Sequence, residues 1–162
     1  VSGADLSLPG FFGKLPAAGD FVSRRPPPGF VRFWDRWASR HLVPRLADAL
    51  CFRLPGFAGV AVPSADRAGR RFPLALAAVP PPGGGAPESA AGWYAELAAL
   101  GRGAAAGALD VDALDARLRA LPCPPLAPAQ GLLLWAAGQP PRAADPEAPG
   151  SVLDAILGSR VS

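Results

Sequence analysis

A chain of 162 residues is long enough for one domain with a core of its own and too short for two of ordinary size. Two cysteines, Cys51 and Cys123, with no paired spacing exclude a disulfide scaffold and a cysteine-rich zinc site, and the longest uncharged window, 120–141, is broken by prolines and cannot span a bilayer. The net charge of +3 is unevenly spread, with eleven Lys/Arg against five Asp/Glu in residues 1–71 and five against eight in residues 72–162, so the basic surface belongs to the first half.

In chain order, Gly10 to Leu15 and Asp20 to Arg24 read as two short extended segments joined by a Pro/Ala/Gly turn, with residues 1–9 and 158–162 expected to fray. From Pro28 the period changes. Phe30, Phe33, Trp34, Trp37 and His41 recur at helical spacing and place four aromatics on one face of a helix. Pro44 is expected to end or kink it, and Arg45 to Leu50 reads as resumed helix. Cys51 to Leu54 and Gly59 to Val62 read as strands, followed by the charged turn "PSADRAGRR" and a third apolar strand, Phe72 to Val79.

Beyond the loop "PPPGGGAP" (80–87), Trp93, Leu97, Leu100 and Ala104 mark a helix with Ser89 as its expected cap. Val111, Leu114, Leu118 and Leu121 mark another, with Asp110 as N-cap and an Asp115–Arg119 pair on its exposed side. "GLLLWAAG" (131–138) has the length and apolarity of a central strand buried on both faces, 140–150 reads as a loop, and Ser151 to Leu157 as a closing helix. Strands and helices interleave, which predicts one α/β domain over 1–162 with helices on both faces of a single sheet.

The catalytic inventory is thin. Any thiol or serine hydrolase mechanism has to use His41, the one histidine, and the nearest thiol in sequence is Cys51. Metal-ligand clusters and phosphate loops are missing: Asp110, Asp112 and Asp115 lack the glycine and terminal Glu of a calcium loop and fit a helix start made acidic for its dipole. The reading is therefore a non-enzyme without metal or cofactor, and the rival is a small enzyme using Arg67/Arg70 on an anion or Cys51/His41 as a dyad. Nucleic-acid binding is not expected, because no aromatic interleaves with exposed arginines in the manner of single-strand binders.

Two constellations remain, each with a structural and a functional reading. In the turn, Ser64 and Asp66 can accept backbone N–H bonds and Gly69 can take a left-handed corner, so that Asp66 with Arg67 or Arg70 either holds the loop or presents guanidiniums to an anion or acidic partner. On the aromatic helix, Arg32, Arg36 and Arg40 recur one turn apart as a stripe of one sign, either an ordinary solvated face or a docking edge for an acidic protein.

The blocks "GFFGKLPAAGDFVSRRPPPGFVRFWDRW" and "VAVPSADRAGRRFPLALAA" resemble, in order and over most of residues 10–79, the TagF (ImpM) family of type VI secretion-associated proteins. Gly13, Lys14, Pro16, Gly19, Asp20, Phe21, Trp34, Trp37, Pro63, Ser64, Asp66, Arg67, Gly69, Arg70, Phe72 and Pro73 carry the likeness. The resemblance implies a three-layer α-β-α sandwich around a mixed or largely antiparallel sheet. It also implies a cytoplasmic accessory protein, not inserted in the membrane, that represses secretion post-translationally by engaging a forkhead-associated scaffold protein. No catalytic residue comes with it. Candidate partner-binding residues are Arg32, Arg36, Arg40, Asp66, Arg67 and Arg70, and the short N-terminal strands are expected to bring Asp20 near an arginine of the turn. The segment Ala49 to Gly59 departs from the family in being short, with Cys51-Phe52 where Trp-Arg-Phe is expected, so a truncated or missing edge strand is anticipated there.

Overall fold

The computed structural model describes residues 5–43 and 45–158. Its elements are β1 (Gly10–Gly13), β2 (Val22–Arg24), α1 (Phe30–His41), β3 (Leu50–Leu54), β4 (Phe57–Val62), β5 (Leu74–Ala78), α2 (Ala91–Ala105), α3 (Val111–Arg119), β6 (Leu132–Trp135), β7 (Arg142–Ala144) and α4 (Gly150–Leu157). The strands form one sheet in the order β2-β1-β5-β4-β3-β6-β7, and each neighbouring pair is antiparallel.

Side-chain alternation divides the core in two. On β4 and β5, Ala58, Val60, Val62, Leu74, Leu76 and Ala78 join a cluster with Trp93, Leu97, Ala98 and Ala104 of α2 and Leu114 and Leu118 of α3. Ala61, Ala75 and Ala77 point the other way, into a cluster with Phe30, Trp34 and Trp37 of α1 and Leu153 of α4. Beneath α1 the helix sets large rings over the methyl groups of β4 and β5 while β3 adds a ring of its own, with Trp34 stacked on Phe30 and Phe52 at centroid distances of 5.6 and 5.4 Å. Beneath α2 the approach is closest at a glycine: a Cβ on Gly101 would stand 3.0 Å from Leu76 Cδ1 and 3.1 Å from Val62 Cγ1. Interdigitation of large against small is what native packing density requires. Gly59, mid-sheet, is similarly forced, because a Cβ there would lie 2.1 Å from the Leu76 carbonyl oxygen.

Several expectations are corrected. Arg45 to Leu50 does not resume helix: Leu42 and Val43 both donate to the Ala38 carbonyl, Asp48 captures the Ala49 amide at 2.7 Å, and Leu50 already pairs with Ala61. Strand pairing outweighs local helix propensity here. Pro44 lies outside the described residues. Ser89 does not cap α2; it sits inside a 3₁₀ turn, Pro87–Ala90, with its hydroxyl donating to the Ala86 carbonyl. Asp110 does cap α3, accepting from the Ala113 amide at 2.7 Å. β6 is not central but next to the edge, which is formed by β7 from the stretch read as a loop. The short 49–59 segment forms β3 and the start of β4, linked by Pro55-Gly56, and both lie inside the sheet and not at its edge. Residues 5–9 are not loose: Leu6 accepts from the Val79 amide, Ser7 accepts from the Cys123 amide, and Pro9 is buried.

Candidate functional site: a braced turn and an arginine-lined groove

The charged turn folds around one carboxylate. Asp66, whose side chain is fully shielded, accepts from the amides of Ala68 and Arg70 through Oδ1, each at 3.0 Å. Its Oδ2 takes Arg70 Nε at 2.9 Å and lies 3.3 Å from Lys14 Nζ. Burial pushes the Asp66 carboxyl up, but the Arg70 amide, Lys14 and the Arg70 side chain outweigh it and hold it below the usual carboxylate value. Gly69 supplies the left-handed corner at φ 83°.

The remaining donors reach across to the N-terminal segment. Arg67 gives its amide to the Ala18 carbonyl and Nη2 to the Ala17 carbonyl at 2.6 Å, Arg70 gives Nη2 to the Gly19 carbonyl at 2.9 Å, and Ser64 gives its hydroxyl to the Lys14 carbonyl at 2.6 Å. Asp66, Arg67 and Arg70 are thus brought together, but to clasp backbone. Asp20 does not join them; it accepts from the neighbouring Phe21 amide. Phe21 packs edge-on to Phe72 at 5.0 Å and beneath Lys14 Nζ at 4.9 Å, yet stays 42% exposed.

The dyad does not form. Cys51 belongs to the α2 side of the sheet, whereas His41 lies tilted against Trp37 at a centroid distance of 5.5 Å on the α1 side. Burial also pushes the Cys51 thiol up to about 12, the opposite of an activated nucleophile. Among the described residues no group of three or more metal-ligating side chains gathers.

The helix stripe fares differently. Arg32, Arg36 and Arg40 are exposed and line one groove of about 330 Å³, floored by Phe33 and Trp37 and walled by His41, Pro146 and Glu147. Trp37 sets the wall in place by donating Nε1 to the Pro146 carbonyl at 2.9 Å. Among the described residues, none of the three guanidiniums is in an ion pair, while Arg24, Arg25, Arg45, Arg70, Arg102 and Arg119 all are. Burial, then Arg40 and Arg45, hold the His41 imidazole below its ordinary value against the opposing pull of Glu147, so it is neutral at pH 7. The groove offers three free cations over an aromatic floor.

The family model of the TagF N-terminal domain, described as type VI secretion system-associated, matches residues 10–50 and 44–121. The chain belongs to the TagF family. A solved structure, described as PA0076 from Pseudomonas aeruginosa PAO1, superposes with a TM-score of 0.60 at 28% identity, covering 85% of this chain and 71% of that one. No curated protein matches the chain. The TagF match places this chain among type VI secretion-associated proteins, and no helix of the described residues is long and apolar enough to cross a membrane. The TagF-like motif positions mostly close the fold. Gly13 is pressed so near the Pro73 carbonyl that a Cβ would stand 2.5 Å from its oxygen, Phe72 is buried beside it, and Trp34 is 1% exposed.

Sequence reading missed two clusters. Asp115, placed on an exposed helix side, is 8% exposed and gathers Arg25, Arg24 and Arg119, with Arg24 also bonded to Asp112 at 2.8 Å. That ties β2 to α3. Arg53 is 4% exposed inside β3 with carbonyl partners only. A lone arginine in an apolar strand was the available signal for it, since a buried charge needs a stated partner.

Proposed function

We propose that the chain is a non-catalytic, cytoplasmic repressor of type VI secretion that acts post-translationally, by seating an acidic stretch of a forkhead-associated scaffold protein in the groove of Arg32, Arg36 and Arg40. The observation that carries this reading is the convergence of three exposed, unpaired guanidiniums over Phe33 and Trp37. Unpaired like charges one turn apart cost an isolated helix a little, and an acidic partner removes that cost while steering association. Family membership supports the type VI context. An α-β-α layering is supported by the two core clusters, one with α2 and α3 and the other with α1 and α4, and it leaves the arginine side of α1 turned outward. The enzyme reading finds no support, with Arg67 and Arg70 occupied by carbonyls and Cys51 and His41 on opposite sides of the sheet.

The test is the triple variant Arg32→Glu/Arg36→Glu/Arg40→Glu. It should melt within about 3–6 °C of the parent, because exposed substitutions typically cost under about 0.5 kcal/mol each and a domain of this size loses about 2–4 °C per kcal/mol, and should lose the scaffold in a pull-down. Parent binding should weaken as salt rises from 50 to about 300 mM. In cells, deletion should raise effector release and overexpression lower it, the triple variant failing to do the latter. Full-strength binding by a folded triple variant removes the groove from the reading; unchanged release on both deletion and overexpression removes the repressor role.

A further inference from the structure

We infer that Arg53 is the anchor of a second site, which takes a small monocarboxylate with an apolar body. The guanidinium sits where burial is most costly. Its residue is 4% exposed, it lies on the α2 side of β3 beside Leu133 and Ala58, and among the described residues no carboxylate pairs with it. A buried cation ordinarily has an anionic partner.

The donor count shows what is left over. A guanidinium carries five N–H donors. Nη1 serves the Leu54 and Phe57 carbonyls, and Nη2 serves the Ala127 carbonyl at 3.1 Å. That leaves the buried Nε, which has no partner, and one hydrogen of Nη2. Nη2 can meet a carboxylate oxygen directly, and Nε, which is covered here, becomes the second arm of a bidentate grip once the ligand displaces the atoms over it.

Arg53 also lines a cavity of about 570 Å³ at the β6–β7 edge, together with Pro87, Ala127, Leu132, Leu133 and Ala143. That volume is of small-molecule size. The walls are mostly alanine, proline and leucine, with Gln130 the one neutral polar side chain, so the occupant needs a largely apolar body, and the one cation among the walls matches one negative charge. A doubly charged phosphate would bring into an apolar site more charge than Arg53 neutralises. The carbonyls of Leu54, Phe57 and Ala127 meanwhile hold the guanidinium in place. The site lies on the other side of the sheet from the α1 groove and stands or falls independently of it.

The experiment titrates the full chain with sodium hexanoate, hexanamide and sodium chloride at matched ionic strength, followed by calorimetry and by the amide resonances of Leu133 and Ala143. Hexanoate should shift those resonances and bind at least tenfold more tightly than hexanamide. Arg53→Met should weaken hexanoate at least tenfold. Ala143→Trp, which fills the cavity mouth at an exposed edge position and leaves Arg53 alone, should do the same and keeps the test valid if Arg53→Met does not fold. No binding up to about 10 mM, equal binding of hexanamide, undiminished binding by either variant, or shifts confined to Arg32, Arg36 and Arg40 would each overturn the assignment.

Discussion

Trp37 joins the core to the groove, and its removal should be felt in both. The ring is 6% exposed and packs against Trp34 and Phe33, each with a centroid distance of 5.9 Å. Burying an indole withdraws roughly 150–250 Å² from water, worth about 4–6 kcal/mol at about 25 cal/mol/Å². Partial collapse around the gap brings Trp37→Ala into the range of about 3–5 kcal/mol found for such truncations. At about 2–4 °C per kcal/mol for a domain of this size, Tm should fall by about 6–20 °C in a thermal melt followed by circular dichroism. Trp37→Phe keeps most of the apolar contact and loses the bond to the Pro146 carbonyl, an exposed group that can turn to water, so it should cost only about 0.5–1.5 kcal/mol. The phenylalanine variant should nevertheless bind an acidic partner more weakly, because the wall carrying Pro146 and Glu147 is no longer tethered. If Trp37→Ala melted within about 2 °C of the parent, the account of α1 as the large-residue side of its interface would be wrong.

Asp66 has a folded pKa below its ordinary 3.8, so its stabilisation is complete above that value and is lost as pH falls through the lower folded one. Asp66→Asn should therefore melt below the parent at pH 7, and the difference should close under strongly acidic conditions; a gap that persists unchanged through the acid range would contradict the carboxylate's role. Gly59→Ala forces a Cβ to 2.1 Å from a carbonyl oxygen in mid-sheet and should cost about 1–3 kcal/mol or more, measured by urea denaturation. His41, held neutral at pH 7, takes up a proton as pH falls below 6.5 towards its lowered value. Affinity for a poly-glutamate peptide should rise over that interval, and His41→Gln should flatten the rise without altering affinity at pH 8.

Local signals in the sequence were enough to place α1 and the turn. The aromatic spacing of Phe30, Trp34 and Trp37 gives the buried face directly, and Asp66 with Gly69 four and three residues from their partners is a self-contained loop. What stayed hidden depends on distant partners. Asp115 looks like half of an exposed helix pair until Arg25, 90 residues away, closes on it. β7 exists because Leu133 and Leu134 offer it a ladder, although Arg-Ala-Ala has little strand propensity of its own. The partner-facing role of Arg67 and Arg70 was undecidable from sequence, because whether a guanidinium points outward depends on where the carbonyls of Ala17 and Gly19 end up.

The alanines under α1 bear on where the arginine row stands. Ala61, Ala75 and Ala77 let the rings of Phe30, Trp34 and Trp37 approach the sheet, and Arg32, Arg36 and Arg40 ride on the far side of the same rigid cylinder. The height of that cationic row above the protein is therefore set in part by three buried methyl groups, beside the ring of Phe52. Enlarging one of them to valine would lift or tilt the helix as a unit and move the guanidiniums relative to Glu147 and Pro146, altering the shape of the groove while leaving every residue at its surface unchanged. Changes in the shape of the groove can thus originate in the sheet, one layer below its surface.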